Sequence, residues 1–135
     1  MPRVMVDSNV LLDIFTEDLE WFEWSSAALG RDADNTLLVI NAIIYAEVSV
    51  CFPRVEDWDE ALGAIWFERR PLPYAAAFLA AKCFPGYRRR GGPRPSVPPD
   101  FFISAHAAIE ALPLLARDVG RYRTYLPRLQ RICPR

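Results

Sequence analysis

Two aspartates stand where ligands bind in parallel sheets. Asp7 follows the apolar segment 4–6, and Asp118 follows the apolar segment 114–116. Both segments have the pattern of short strands that are buried on both faces. In open parallel sheets, ligands bind at the carboxyl ends of strands, near the point where the strand order reverses. Each aspartate is therefore a candidate site residue, although an aspartate after a strand is also a common helix cap.

Two further acids have unusual surroundings. Glu47 is the only acid in segment 42–52, which is almost entirely apolar, and no Lys or Arg is close to it in sequence. A buried carboxylate is costly unless it is paired, protonated or bound to a metal, so a functional role is favoured over a structural hydrogen bond. Asp100 follows Pro98 and Pro99 and precedes an apolar helix. It is therefore either a helix cap or a further residue of the site.

These four acids come from four separate elements that a parallel sheet can bring to one edge. Four ionised carboxylates cannot share a pocket without a cation, because like charges raise each other's pKa. The cation that suits oxygen ligands is Mg²⁺ or Mn²⁺. Such an ion activates water and neutralises a phosphate during in-line displacement. The sequence therefore favours hydrolysis of phosphodiester bonds.

Other chemistries have less support. His106 is the only histidine, so a metal-free nuclease with two histidines is excluded, and its place on an apolar helix favours a packing role. The chain has neither GxxxxGK[ST] nor GxGxxG, which disfavours a nucleotide-binding loop. A phospho-aspartate receiver or a dehalogenase-type phosphatase is disfavoured too, because the only lysine, Lys82, follows no strand and Asn9 cannot act as the acid beside Asp7.

Composition describes one globular domain over residues 1–135, with an uneven distribution of charge. Residues 1–87 carry 6 basic and 14 acidic side chains, whereas residues 88–135 carry 10 basic and 3 acidic ones. This asymmetry indicates an anionic partner for the C-terminal third, unless the two parts interleave in space.

Three cysteines without metal-binding spacing predict buried thiols in a reducing cytosol. No apolar run approaches the roughly 20 residues of a membrane span, and we expect no signal peptide or anchor.

Strands and helices alternate along the chain, which predicts an α/β fold. The predicted architecture has three layers: a mostly parallel central sheet of about five strands, flanked by helices on both faces. The predicted strands are 4–6, 36–40, 69–72, 114–116 and 128–132. The first predicted helix begins at Ser8 or Asn9. It is followed by helices at 17–29, ended by Gly30, at 42–52 after an N-cap at Asn41, at 55–66, 73–84 and 100–111, and by a short one around Tyr122 and Tyr125. Residues 86–99 are rich in Gly, Pro and Arg and are predicted to form a loop.

Four stretches of the sequence together resemble the PIN-domain ribonucleases, specifically the VapC-type toxins of type II toxin–antitoxin systems. They are VDSNVLLDI at 6–14, NAIIYAEVSV at 41–50, YRRRGGPRPSVPPDFFISAHA at 87–107 and LLARDVGRYRTYLP at 114–127. They occur in the family's order and cover the start, middle and end of the chain. The resemblance implies a PIN-like fold and Mg²⁺- or Mn²⁺-dependent cleavage of RNA.

The resemblance also implies roles for particular residues. The family's acidic quartet falls on the four acids already singled out: Asp7, Glu47, Asp100 and Asp118. Ser8 or Asn9 would be a polar helper. Two positions depart from the pattern, because Ser104 replaces an expected glycine and Ala116 replaces a frequent threonine. Ser104 lies one helical turn after Asp100, where its hydroxyl would crowd or assist a metal. We therefore expect this departure to modify the activity rather than to abolish it.

Partners follow from the same resemblance. A VapB-type antitoxin would block the site with its C-terminal segment, and a cytoplasmic homodimer is expected. Four arginines before Asp100 are placed to hold RNA phosphates, unless they are only a solvated run of charge: Arg88, Arg89, Arg90 and Arg94. The tryptophans are expected in core or dimer packing, and Asp13 is expected to face solvent from the first helix. Two alternatives remain, namely a PIN-like RNA-binding module without catalysis and a metal-dependent phosphatase.

Overall fold

A five-stranded parallel sheet forms the centre of the protein, with strand order β3-β2-β1-β4-β5. The computed structural model describes residues 2–64, 67–117 and 124–134. The strands are β1 Arg3–Val6, β2 Leu37–Ile40, β3 Phe67–Arg69, β4 Leu114–Leu115 and β5 Arg131–Ile132. Met5 of β1 pairs with Val39 on one side and with Leu114 on the other. The strand order therefore reverses between β1 and β4, so the carboxyl end of β1 lies where such sheets bind ligands.

Both faces of this sheet are covered. Val4, Met5 and Val6 are at most 3% exposed, although successive side chains of a strand point to opposite faces. The same holds for residues 38–40 of β2. The α/β fold with helices on both sides of a parallel sheet is thus confirmed. The strands after β1 are shorter than predicted, and the third strand lies at Phe67–Arg69, so the prediction of residues 69–72 is correct only for Arg69.

Six helices are seen in the described residues. They are α1 Ser8–Phe15, α2 Phe22–Asn35, α3 Ala42–Val48, α4 Val55–Ala64, α5 Tyr74–Arg89 and α6 Pro99–Ile109. The 3-10 turn Ser49–Cys51 follows α3. The main core surrounds β1, β2 and β4, whereas a smaller cluster, which includes Ala80, Tyr87 and Phe101, joins α5 to α6. The predicted short helix around Tyr122 and Tyr125 is only partly described: Thr124 and Tyr125 are helical, whereas residues 118–123 lie outside the described parts of the chain. Residues 65–66, the end of the predicted helix 55–66, lie outside them too.

Helix α2 begins and ends later than predicted. The carboxylate of Asp18 accepts hydrogen bonds from the main-chain N–H groups of Glu20 and Trp21, at 3.0 and 2.9 Å, and Glu17 has a positive φ of 51°. These features form a turn, which delays the helix until Phe22. Gly30 does not end it, because an exposed glycine inside a helix costs only about 1 kcal/mol relative to alanine.

Helix α5 also extends further than predicted, through the start of the expected loop. Tyr87 is 6% exposed and its ring packs against Phe101, so tertiary packing holds the last turn in place. Beyond Arg90, the main-chain N–H of Gly91 donates to Arg88 and that of Gly92 donates to Tyr87, at 3.1 and 2.9 Å. With Gly91 at φ 86°, this is a Schellman ending. Arg88 and Arg89 are therefore helical residues, not loop residues.

Gly92 is predicted to tolerate no larger residue. A Cβ there would lie 2.4 Å from the ring of Tyr87, which is buried and cannot move away. We expect Gly92→Ala to lower the free energy of unfolding by about 1–3 kcal/mol. Gly30→Ala is the matched control, because nothing lies within 4 Å of a Cβ in that helical position, and it should stabilise by about 0.5–1 kcal/mol. Urea unfolding measures both; equal effects of the two variants would contradict the packing described.

Candidate active site

Asp7 lies at the carboxyl end of β1 and begins α1 as its N-cap. Its side chain is 3% exposed. One carboxylate oxygen, Oδ1, accepts a hydrogen bond of 2.7 Å from the main-chain N–H of Ser8. An ordinary N-cap accepts from the second or third residue of the helix, whereas Asp7 accepts from the first. The helix cap that the sequence allowed is thus present, and it holds the carboxylate close to its own strand end.

Ser8 links Asp7 to Glu47. The Ser8 hydroxyl donates to Oε1 of Glu47 at 2.8 Å and lies 3.4 Å from Oδ1 of Asp7. Glu47 is partly buried, as its apolar segment predicted. Two carboxylates from β1 and α3 therefore surround one hydroxyl. This arrangement fits a hard cation, because Mg²⁺ binds through one or two carboxylates while it keeps several waters.

Asp100 is the second residue of α6, preceded by Pro99 in the first turn, and it is partly buried. Pro98 is the N-cap, so Asp100 is not the cap that one interpretation of the sequence allowed. Its position still suits a carboxylate, because the amino end of a helix carries partial positive charge. Ser104 is 1% exposed and donates to the main-chain oxygen of Asp100 at 2.9 Å. Its hydroxyl proton is therefore used within the helix.

The structure brings together two of the four predicted carboxylates, those of Asp7 and Glu47. Within residues 2–64, 67–117 and 124–134, no group of three or more Asp, Glu, His or Cys side chains is arranged to hold a metal ion. Asp118 lies outside the described residues, so the four-carboxylate cluster stays a prediction. The fold does bring the residues just before Asp118 close to the end of β1, since β4 lies next to β1.

That segment is fixed by an ion pair that the sequence did not predict. Asp13 is 2% exposed and accepts two hydrogen bonds from the guanidinium of Arg117, at 2.9 and 3.0 Å. Ser25 donates a third bond to Asp13 at 2.7 Å, and Arg117 also lies over the ring of Trp21 at 5.6 Å. The main-chain N–H of Arg117 donates to Asn9 at 3.3 Å. The expectation that Asp13 faces solvent is wrong.

Loss of charge at Asp13 should destabilise the protein. Asp13→Asn would leave Arg117 without its bidentate partner, and breaking a buried pair costs several kcal/mol. Arg117 is 29% exposed, so we expect a smaller loss of about 1–3 kcal/mol in the free energy of unfolding. Asp57→Asn is the control, because it breaks the exposed pair with Arg54 and should cost under about 1 kcal/mol. Equal losses in urea unfolding would show that burial of the pair has no effect.

His106 is fully buried, and both of its ring nitrogens have partners. Nδ1 lies 3.0 Å from Nδ2 of Asn41, and Nε2 lies 2.9 Å from Oε1 of Glu110. Nε of Arg70 donates to both oxygens of Glu110 at 3.0 Å, and Arg70 also bonds Glu68 at 2.8 Å. The predicted packing role of His106 is confirmed, with the addition of a hydrogen-bonded network.

This network should make stability depend on pH. Burial raises the pKa of the Glu110 carboxyl, but the hydrogen bonds from Arg70 and His106 lower it by more, so it lies below the ordinary value of 4.5. Because the folded-state pKa is depressed, the stabilisation is present above about pH 4.5 and is lost as the pH falls through the folded pKa. Glu110→Gln should therefore cost on the order of 1 kcal/mol at neutral pH.

The difference between wild type and Glu110→Gln should shrink as the pH falls through the depressed pKa of Glu110, because the wild-type carboxyl then becomes protonated. Urea unfolding at neutral pH and at acid pH measures it. Glu60→Gln, at an exposed position of α4, is the control and should change little at either pH. A difference that grows in acid would contradict a depressed pKa for Glu110.

The predicted RNA-binding arginines lie near the start of α6. Because Tyr87 at the end of α5 contacts Phe101, the arginines that follow Tyr87 lie beside the helix end that carries Asp100. Arg88 donates to the main-chain oxygens of Gly92 and Arg94, and Arg90 stacks over Tyr125 at 5.3 Å. Arg88, Arg89, Arg90 and Arg94 are all exposed. Their contact with RNA stays a prediction.

The three cysteines are free. They are only partly buried, whereas the sequence predicted buried thiols, and burial raises the pKa of the Cys83 thiol. Trp58 is 1% exposed in the core, where its ring stacks on Phe52. Among the residues described, no helix combines the length and the apolar character needed to cross a membrane.

The strand order and the helices on both faces define a three-layer α/β fold, as the sequence predicted, and the solved structures that it matches identify this fold as PIN-like. The chain superimposes on a chain of VapBC2 from Rickettsia felis bound to a promoter DNA fragment, with a TM-score of 0.71 and 16% identity, over 98% of this chain and 99% of that one. DNA-bound VapBC from Salmonella typhimurium gives 0.68 and 17%, over 98% of each chain.

A toxin–antitoxin complex from Klebsiella pneumoniae is also similar, with a TM-score of 0.64 and 20% identity, over 88% of this chain and 89% of that one. At this level of identity, the likeness establishes the fold. The sequence itself matches no protein-family model and no curated protein.

Proposed function

We propose that this protein is a Mg²⁺- or Mn²⁺-dependent endoribonuclease that acts as the toxin of a VapBC-type pair. The observation that carries the proposal is the pair of carboxylates from Asp7 and Glu47 around the Ser8 hydroxyl, at the switch point of a PIN-type sheet. A pure RNA-binding module has no use for buried carboxylates at its site, because they repel RNA.

Each of the site residues would have its own role in this reaction. Asp7 and Glu47 would hold the cation, together with Asp100 and Asp118. The bound ion would supply an activated water and neutralise charge on the phosphate. Ser8 would orient Glu47 through its hydrogen bond, in the way that outer-shell donors orient metal ligands. Arg89 and Arg94, which are exposed near the start of α6, would bind RNA phosphates.

The solved neighbours support a partner as well as a fold. Two of them are VapBC complexes, and a third is described as a toxin–antitoxin complex. We therefore propose that a VapB-type antitoxin binds this protein and blocks its site, and that the protein works as a homodimer in the cytoplasm. A metal-dependent phosphatase is the second candidate, and it would hydrolyse small phosphoesters while leaving RNA intact.

Removal of either paired carboxylate should abolish metal-dependent RNA cleavage. Asp7→Asn and Glu47→Gln keep the size of the side chain but remove the charge that attracts the cation, so we expect a loss on the order of 100-fold or more. The measurement is cleavage of structured RNA in the presence of Mg²⁺ or Mn²⁺, with EDTA as the metal-free reference. Glu60→Gln, exposed on α4, is the matched control and should retain full activity.

Three outcomes would contradict the proposal. Equal cleavage by wild type and both variants would mean that the activity does not use this pair. Binding of RNA without cleavage by the wild type, at any metal concentration, would favour the non-catalytic module. Hydrolysis of a small phosphoester alone would favour the phosphatase.

A further inference from the structure

One buried imidazole connects the two helices that carry Glu47 and Asp100. His106 lies on α6, two turns beyond Asp100, and is fully buried. Its Nδ1 is 3.0 Å from the side-chain nitrogen of Asn41, which is the N-cap of α3. Glu47 lies near the other end of the same short helix. The contact between Asn41 and His106 is therefore a direct polar link between α3 and α6.

The N-cap determines which nitrogen of His106 carries the proton. Oδ1 of Asn41 accepts from the main-chain N–H of Ile44 at 3.0 Å, so the amide nitrogen Nδ2 is the group that faces His106. Nδ1 of the imidazole must then accept that hydrogen bond. Nε2 carries the proton and donates it to Glu110 at 2.9 Å. Both ring nitrogens are therefore used, Nδ1 as an acceptor and Nε2 as a donor.

The Glu110 side of His106 is also fixed. Glu110 is clamped by Arg70, which follows β3 and donates to both carboxylate oxygens. The main-chain N–H of Arg70 donates to the carbonyl of Ile40, the last residue of β2. The imidazole therefore lies between two anchored groups, one at the end of β2 and one on α6, and has little freedom to rotate.

We propose that His106 is a positioning residue: its hydrogen bond with Asn41 fixes α3 against α6, its hydrogen bond to Glu110 holds the ring in place, and together they set the distance between Glu47 and Asp100 for a divalent cation. The inference rests on the proposed function. Among the polar contacts of α3, two lie beside the site, namely Asn41 to His106 and Glu47 to Ser8. Loss of the first would remove the polar contact of α3 with α6 and leave Ser8 as the hydrogen-bond partner that orients Glu47.

A direct test of the hydrogen bonds requires no metal and no RNA. His106 is the only histidine of the chain, so the ¹⁵N spectrum of the labelled protein contains a single imidazole. We expect the neutral form with the proton on Nε2 and a bare Nδ1. Observation of the other neutral form, or of an imidazole in rapid exchange between forms, would overturn the proposed arrangement.

The test of positioning is a titration with Mn²⁺ alone, followed through the electron paramagnetic resonance of the free ion. His106→Phe keeps the bulk of the ring and removes both hydrogen bonds, and we expect Mn²⁺ binding to weaken about 10-fold. Asn41→Ser keeps a good N-cap for α3 but is too short to reach Nδ1, so it should weaken binding in the same direction even where His106→Phe fails to fold.

Leu29→Ala is the matched control for general loss of stability, because Leu29 is a buried residue of α2 outside this network. It should lower the melting temperature and leave the Mn²⁺ dissociation constant unchanged. Wild-type affinity in Asn41→Ser, or an equal loss in Leu29→Ala, would overturn the positioning role. Failure of the wild type itself to bind Mn²⁺ would instead overturn the proposed function, while the state of the imidazole would still be decided by its spectrum.

Discussion

A carboxylate that is removed from water at the end of a central strand needs compensation for its charge. Asp7 is in this situation, because β1 is buried on both faces and ends in a side chain that is 3% exposed. The main-chain N–H of Ser8 supplies part of the compensation, and the Ser8 hydroxyl draws a second carboxylate to the same place. Two carboxyl groups close together offer oxygen ligands to a cation, and the proposed function places a metal ion there.

The same constraint governs the other buried charges. Asp13 is compensated by Arg117 and Ser25, whereas Glu110 is compensated by Arg70 and His106. Each of these groups joins elements that are distant in sequence, so the helices around the site are oriented by polar links as well as by apolar packing. Polar networks of this kind specify a single arrangement only when every member has its partner.

Local sequence predicted the elements that depend on local chemistry. The apolar run of β1, the N-cap at Asn41 and the partial burial of Glu47 were all predictable, since each is set by neighbouring residues. The extent of α2 and α5 was not, because the turn at Asp18 and the packing of Tyr87 on Phe101 are not visible in periodicity. Asp13 was misplaced for the same reason: its partner, Arg117, is 104 residues away. Its only local signal is that it lies on the buried side of α1, one turn after Val10.

The strand order has a consequence for how the protein is made. β1 occupies the middle of the sheet, but one of its neighbours, β4, is far from it in sequence, with Met5 paired to Leu114. Contacts between such distant residues form late and slowly. On a ribosome, β1 emerges long before β4, and the sheet beside Asp7 stays incomplete until residues 114–115 have been translated. A nascent chain therefore cannot assemble this site before β4 has been made.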